Sequence, residues 1–180
     1  EIAFDMMWKR AAGEEAPPAM VVTETAPPVP CGMVAADRPG AHRVALVYIW
    51  LAQHAQRTLE ITDAYLVTPE PVVEAFEAAA KRGVKVQFLL PGNNNHPLAA
   101  ASARRRYARL MAAGACIHEW CGMMVHAKTA VADSEIVLVG SSNLDPLSMT
   151  RNYELNFLLA DAATGQVMSE MFRRDLEGAR

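Results

Sequence analysis

The chain has 180 residues, of which 52% are hydrophobic and 21% charged, with a net charge of −3. This composition is ordinary for one globular domain with a core of its own, and it offers no overall basic field to attract nucleic acid. Three cysteines are too few for a disulfide framework, and no apolar run reaches the length of a membrane span.

In chain order, residues 1–13 predict a helix with Ile2, Phe4, Met7 and Trp8 on its apolar face. Six of the eleven prolines (Pro17, Pro18, Pro27, Pro28, Pro30 and Pro39) then interrupt regular structure. Residues 14–41 therefore read as a linker, with short edge strands at 20–25 and 31–35. The folded domain is expected over 42–180. It begins with a helix over 41–56, whose apolar residues are Val44, Val47, Ile49, Trp50 and Leu51, and a strand over 58–64. Thr68 and Pro69 carry an N-cap and first-turn pattern for a helix reaching Lys81 or Arg82, with Val72, Val73, Phe76 and Ala79 inward and Gly83 as its stop.

A strand over 84–90 ends at Pro91 and Gly92. The polar turn Asn93, Asn94, Asn95 follows, with His96 ahead of a helix over 97–114. A strand over 115–120 carries Cys116 and His118, with Cys121 just beyond. The two cysteines read as small buried hydrophobes rather than as metal ligands. Two short strands hinged at Asp133, Ser134 and Glu135 come next, then a turn at Gly140, a strand over 153–160 and a last helix over 163–177 with Val167, Met168, Met171, Phe172 and Leu176. Helices alternating with strands at this spacing predict an α/β fold, a mixed but largely parallel sheet layered between helices.

Reactive groups concentrate in residues 125–156. His126, Lys128, Asp133, Gly140, Ser141 and Asn143 follow the spacing H-x-K-x4-D-x6-G-S-x-N. In a strand, His126 and Lys128 share a face. Histidine serves as nucleophile or proton donor near neutral pH, lysine supplies a positive charge, and Ser141 and Asn143 add neutral donors at a glycine turn. Together these groups suit a tetrahedral anion such as a phosphodiester. No cluster of carboxylates accompanies them, so neither a metal nor a cofactor is called for. Elsewhere, Asp63 and Tyr65 at a strand end and His96 at a helix entrance are candidates to line a substrate cleft. Arg104, Arg105 and Arg106 form a basic run on a helix, which reads first as a solvated face and second as a contact for lipid headgroups or nucleic acid phosphates.

The motif resembles the signature of the phospholipase D superfamily. Over residues 42–178 the chain is similar to the second half of bacterial cardiolipin synthase-like proteins, in the stretches T-D-A-Y, V-K-V-Q-F-L-L-P-G, L-M-A-A-G-A-C-I-H-E-W, M-V-H-A-K-T-A-V-A-D and G-S-S-N-L-D-P-L-S. Where relatives often carry T-P-Y-F, this chain has D-A-Y-L, at Asp63 to Leu66.

The resemblance implies a site built from two such motifs across a pseudo-two-fold axis, with one histidine forming a phosphohistidine and the other serving as acid and base. The chain carries one motif, and residues 1–13 and the proline-rich stretch are similar to the end of a first half and the linker after it. His126 would then be the acid/base member, or take either role in a homodimer. Lys128 and Asn143 would hold phosphate oxygens with Ser141 in support, Asp133 would be a structural or orienting acid, and Glu154, eleven residues after Asn143, would bond the histidine. The implied partners are a phosphatidylglycerol-like lipid, a second half or homodimer mate, and a bacterial membrane surface in the parent protein. The alternatives are a metal-independent phosphodiesterase on nucleic acid acting as a homodimer, and an inactive half-site fragment.

Overall fold

The computed structural model describes Lys9 and residues 29–36, 42–92, 97–123 and 125–180, with backbone alone over 97–104. Apart from Lys9, the helix expected over 1–13 lies outside these residues, as do the strand over 20–25, the asparagine turn and His96. The elements are β1 (Cys31–Ala36), α1 (Arg43–His54), β2 (Thr58–Thr62), α2 (Glu70–Lys81), β3 (Lys85–Pro91), α3 (Pro97–Ala112) and β4 (Cys116–Trp120), followed by β5 (Thr129–Ala132), β6 (Ile136–Gly140), α4 (Pro146–Thr150), β7 (Glu154–Ala160) and α5 (Ala162–Leu176).

One seven-stranded sheet takes the order β1-β7-β6-β5-β2-β3-β4. The layered α/β class is as expected, but the balance of pairing is not. β2 pairs β3 and β3 pairs β4 in parallel, whereas β1–β7, β2–β5, β5–β6 and β6–β7 are antiparallel. The connections explain the difference. Helices α2 and α3 carry the chain back across the sheet, which parallel neighbours require, while a tight turn joins β5 to β6 and permits only the antiparallel arrangement. The short edge strand expected at 31–35 is β1, hydrogen-bonded along β7, so the sheet takes in part of the proline-rich stretch.

Alternation along the strands divides the side chains between two layers. Leu59 and Ile61 of β2, Val86, Phe88 and Leu90 of β3, Ala130 of β5 and Leu138 of β6 face α1, α2 and α3, where they join Tyr48, Leu51, Phe76 and Leu110 in one core. Phe76 sits edge-on to both Tyr48 and Phe88, at 6.2 and 5.2 Å between ring centres. Val72, Val73, Phe76 and Ala79 are fully buried, as their spacing predicts. The cap of α2 differs by one residue: Pro69 occupies it, and Thr68 is buried with its hydroxyl donated to Met149 Sδ at 3.2 Å.

Helix α5 covers the opposite face through Gly165, Ser169 and Phe172, while Val167 and Met171 are exposed. A Cβ on Gly165 would fall 2.2 Å from the Ser134 carbonyl oxygen. Glycine thus lets the helix approach the β5–β6 turn, and that approach selects the buried face over the more apolar one. Cys116 and Cys121 are exposed rather than buried, because β4 is an edge strand and Cys121 lies just past its end.

Candidate active site

The β2–β5 ladder sets up the site. Thr62 pairs with Thr129 in antiparallel register, so the next residues outward, Asp63 and Lys128, face one another where the ladder ends. The chain after β2 crosses to the glycine turn: Leu66 bridges Leu144, and the Val67 N–H donates to the Leu144 carbonyl at 2.9 Å. The Gly140 N–H donates to the Lys128 carbonyl at 3.2 Å. The approach to β5, the turn after β6 and the loop after β2 therefore meet at one pole of the sheet.

His126 is exposed at that pole and Lys128 is largely buried beneath it. The Lys128 Nζ donates to the His126 carbonyl at 2.7 Å and lies 3.1 Å from His126 Nδ1. An ammonium has only donors, so Nδ1 accepts and the neutral ring carries its proton on Nε2. Burial pulls the Lys128 pKa down, while the carboxyls of Asp63, Glu154 and Asp145 oppose that shift.

Ser141 donates its hydroxyl to Glu154 Oε2 and accepts the Leu155 N–H at 3.0 Å. Glu154 also accepts from the Asn152 amide at 3.2 Å. Its carboxylate thus serves the turn, and its oxygens are bonded to Ser141 and Asn152 rather than to His126. Asn143 Nδ2 reaches Ser148 Oγ at 3.4 Å, and its buried Oδ1 has no hydrogen-bond partner. Gly140 is required by close approach: a Cβ there would stand 2.3 Å from Asn156 Oδ1 and 2.4 Å from the Leu155 carbonyl oxygen.

Asp133 is not part of this pole. It lies five residues beyond Lys128, roughly 16 Å along the strand at a rise of about 3.3 Å per residue. There its Oδ1 accepts from the N–H groups of Arg57 and Thr58 at 2.7 and 2.9 Å, and its Oδ2 from that of Gln56 at 2.8 Å. Burial pushes its pKa up, but the backbone donors of Thr58, Gln56 and Arg57 outweigh it and the net shift is downward. A carboxylate pinned to the loop before β2 organises the fold and does not touch a substrate at His126. Asp133 is thus placed as a structural acid, at the far end of β5 from His126.

Asp63 also differs from expectation. It is fully buried and cannot line a cleft; Tyr65 beside it is half-buried and donates its N–H to Asp63 Oδ1 at 3.0 Å. Within the basic run, Arg106 Nε donates to the Thr68 carbonyl at 3.2 Å, which ties α3 to the loop ahead of α2, while Arg105 is exposed.

Sequence reasoning missed Asn156, Ser142 and Ser148. Asn156 Nδ2 donates to Ser142 Oγ at 2.8 Å and its Oδ1 accepts the Ser142 N–H at 3.3 Å, both side chains being buried. The pair fixes the glycine turn from below. A signal existed: alternation in β7 puts Asn156 on the inward side with Leu158, where a polar residue needs a partner.

Solved structures share this fold. A phospholipase D family member, Nuc, from Salmonella typhimurium superposes with a TM-score of 0.73 at 18% identity, over 84% of this chain and 96% of that one. Phosphatidylserine synthase from Haemophilus influenzae gives 0.67 at 14% identity, over 83% and 39%. In sequence, a family model described as cardiolipin synthase, PLD-like domain, matches residues 48–176. The chain belongs to that family, within the phospholipase D superfamily. A cardiolipin synthase from Clostridium perfringens is 38% identical over 130 residues, 72% of this chain and 27% of that protein. Cardiolipin synthase B from Salmonella typhi is 32% identical over 123 residues, 68% and 30% respectively. The chain thus matches less than a third of the length of these curated relatives.

Proposed function

We propose that this chain supplies one half, the second, of a paired phosphodiester-transfer site acting on phospholipids with a phosphatidylglycerol-like headgroup. The observation that carries the reading is the Lys128 ammonium bonded to His126 beside the Ser141 and Asn143 turn, in a chain whose relatives are cardiolipin synthases. Within the described residues, which hold one such pole, the second histidine comes from another half or from a second copy.

In the first step the partner histidine attacks phosphorus, a P–N bond forms and the P–O bond to the departing alcohol breaks. His126, entering this step as the imidazolium once Lys128 has turned from its Nδ1 to the phosphate, gives its Nε2 proton to that oxygen and is left as the neutral ring. The incoming alcohol or water then returns a proton to His126 as its oxygen attacks phosphorus, and the P–N bond breaks. Lys128 and the Asn143 amide hold the non-bridging oxygens, where charge develops. Glu154 reaches the histidine by exchanging its bond to Ser141. No helix among the described residues is long and apolar enough to cross a membrane, and the parent protein is proposed to work at a bacterial membrane surface.

The test is incubation with phosphatidylglycerol vesicles and, separately, with DNA, both without added metal. Turnover of the lipid with loss of glycerol or of the headgroup is expected. DNA cleavage without lipid turnover would overturn the lipid reading in favour of a homodimeric nuclease. A strictly monomeric chain with neither activity would mark an isolated half-site.

A further inference from the structure

Beneath the pole lies a carboxyl that the proposed mechanism does not use. Asp63 is 0% exposed. Its Oδ1 accepts the Tyr65 N–H at 3.0 Å, the nearby Leu144 N–H favours its ionised form, and Oδ2 is buried with no partner. Its own N–H is spent on the Leu89 carbonyl at 3.2 Å. One side chain thus joins the loop after β2 to the residue that follows Asn143, and the sheet register sets it opposite Lys128.

Every element packed around Asp63 contributes to its charge balance. Tyr48 of α1 lies within its field, and its hydroxyl is pushed well up by burial and by Asp63. Asp145, ahead of α4, repels a negative charge on Asp63, and Lys128 favours one. Glu154 acts on Lys128 from the other side. Burial dominates and pushes the Asp63 pKa up to about 8. A neutral acid therefore underlies the cradle at physiological pH, and a carboxylate replaces it on the alkaline side.

We infer that Asp63 is a positioning residue for the phosphate cradle: it braces the Asn143 and Leu144 turn from below and, by staying neutral, leaves the charge of Lys128 free for the phosphate anion. Ionised Asp63 would claim part of that ammonium and place a negative charge beneath the bound anion. Phosphodiester binding and deprotonation of Asp63 are thus mutually unfavourable, and linkage makes the effect reciprocal. The inference rests on the reading of this pole as a phosphodiester site.

The test uses dimethyl phosphate, a monoanionic phosphodiester that does not titrate near neutrality, with binding followed by NMR between pH 6.5 and 9.5. The wild type is expected to bind several-fold more weakly at the alkaline end, with the decline centred on the Asp63 titration. Asp63→Asn keeps an oxygen for the Tyr65 and Leu144 N–H groups and removes the ionisation, so its affinity should be flat across the range. A decline that persists in Asp63→Asn belongs to Lys128 and overturns the inference. A second measurement does not need the variant to fold: the 13C carboxyl titration of Asp63 in the wild type should move to higher pH when dimethyl phosphate is added, and an unmoved titration overturns the inference. Absence of binding at any pH, or binding that Lys128→Met leaves intact, overturns the cradle itself and the inference with it.

Discussion

The Lys128 Nζ stands 2.7 Å from the carbonyl oxygen of His126 and 3.1 Å from its Nδ1. The lysine therefore fixes both the position of the histidine backbone and the tautomer of its ring. The two residues form one device, and their loss should not be additive. Replacing His126 with Asn removes the proton carrier and should lower turnover by about 10²- to 10⁴-fold or more. Because His126 is exposed, the far-UV circular dichroism and the melting temperature should barely change. Lys128→Met should lose comparable turnover, and the double variant little more than either alone. Full activity in His126→Asn would refute the site.

Asp133 should behave in the opposite way. Removing its carboxylate in Asp133→Ala orphans the N–H groups of Gln56, Arg57 and Thr58, a loss of about 2–3 kcal/mol in urea denaturation. The phosphate pole, at the other end of β5, should keep its affinity for dimethyl phosphate. The sign of the pH effect follows from the lowered pKa of Asp133. Its stabilisation is complete above the unfolded-state carboxylate pKa of about 4 and is lost as pH falls through the folded value. Acidification below about pH 4 should therefore destabilise the wild type more than Asp133→Asn.

Gly140→Ala tests close packing at the turn. The added Cβ meets the Asn156 amide and the Leu155 carbonyl well inside van der Waals contact, and neither backbone nor buried amide has room to yield. A loss of about 1–3 kcal/mol is expected, read as a fall in melting temperature of several degrees. Phosphodiester affinity should fall as well, because the Ser142 and Asn156 pairing that fixes the turn is displaced.

Arg109 makes a surface prediction. Its guanidinium bonds Glu70 and, at 2.6 and 3.0 Å, both oxygens of Glu77, and the bond to Arg109 holds the Glu77 pKa down. The network joins α3 to α2 but is half-exposed at the arginine. Arg109→Ala should lower the melting temperature only slightly, by an amount that shrinks further in high salt, and leave turnover unchanged.

Much of this architecture is legible in the residues. The inward face of α2, the strands at 58 and 84, and the gathering of His126, Lys128 and the glycine turn all follow from periodicity and spacing. The misreadings share one cause, which is that a linear pattern does not say what lies across the sheet. Asp63 reads as a strand-end acid that could line a substrate cleft, and the crossing of the Leu66 and Leu144 segments buries it. Asp133 belongs to the motif's spacing, but the sequence does not say how far the extended strand carries it from His126. The apolar residues named for the last helix do not say which of them is buried, and the approach of Gly165 to Ser134 turns Val167 and Met171 outward. Helix α4 escaped notice because it has only five residues, although Asp145 followed by Pro146 is an N-cap and first-turn pair.

The antiparallel meeting of β2 and β5 gives the motif's fixed intervals a mechanical meaning. The stretch from Lys128 to Asp133 works as a measuring rod laid along the sheet, with one end at the reactive pole and the other bolted to the loop that launches β2. Its length matches β2, which it must span, so the interval is dictated by the dimensions of the scaffold rather than by the chemistry proposed at His126. One residue added or removed between the two would turn the alternate side chains to the wrong layer, separating the anchor from the histidine it was spaced to serve.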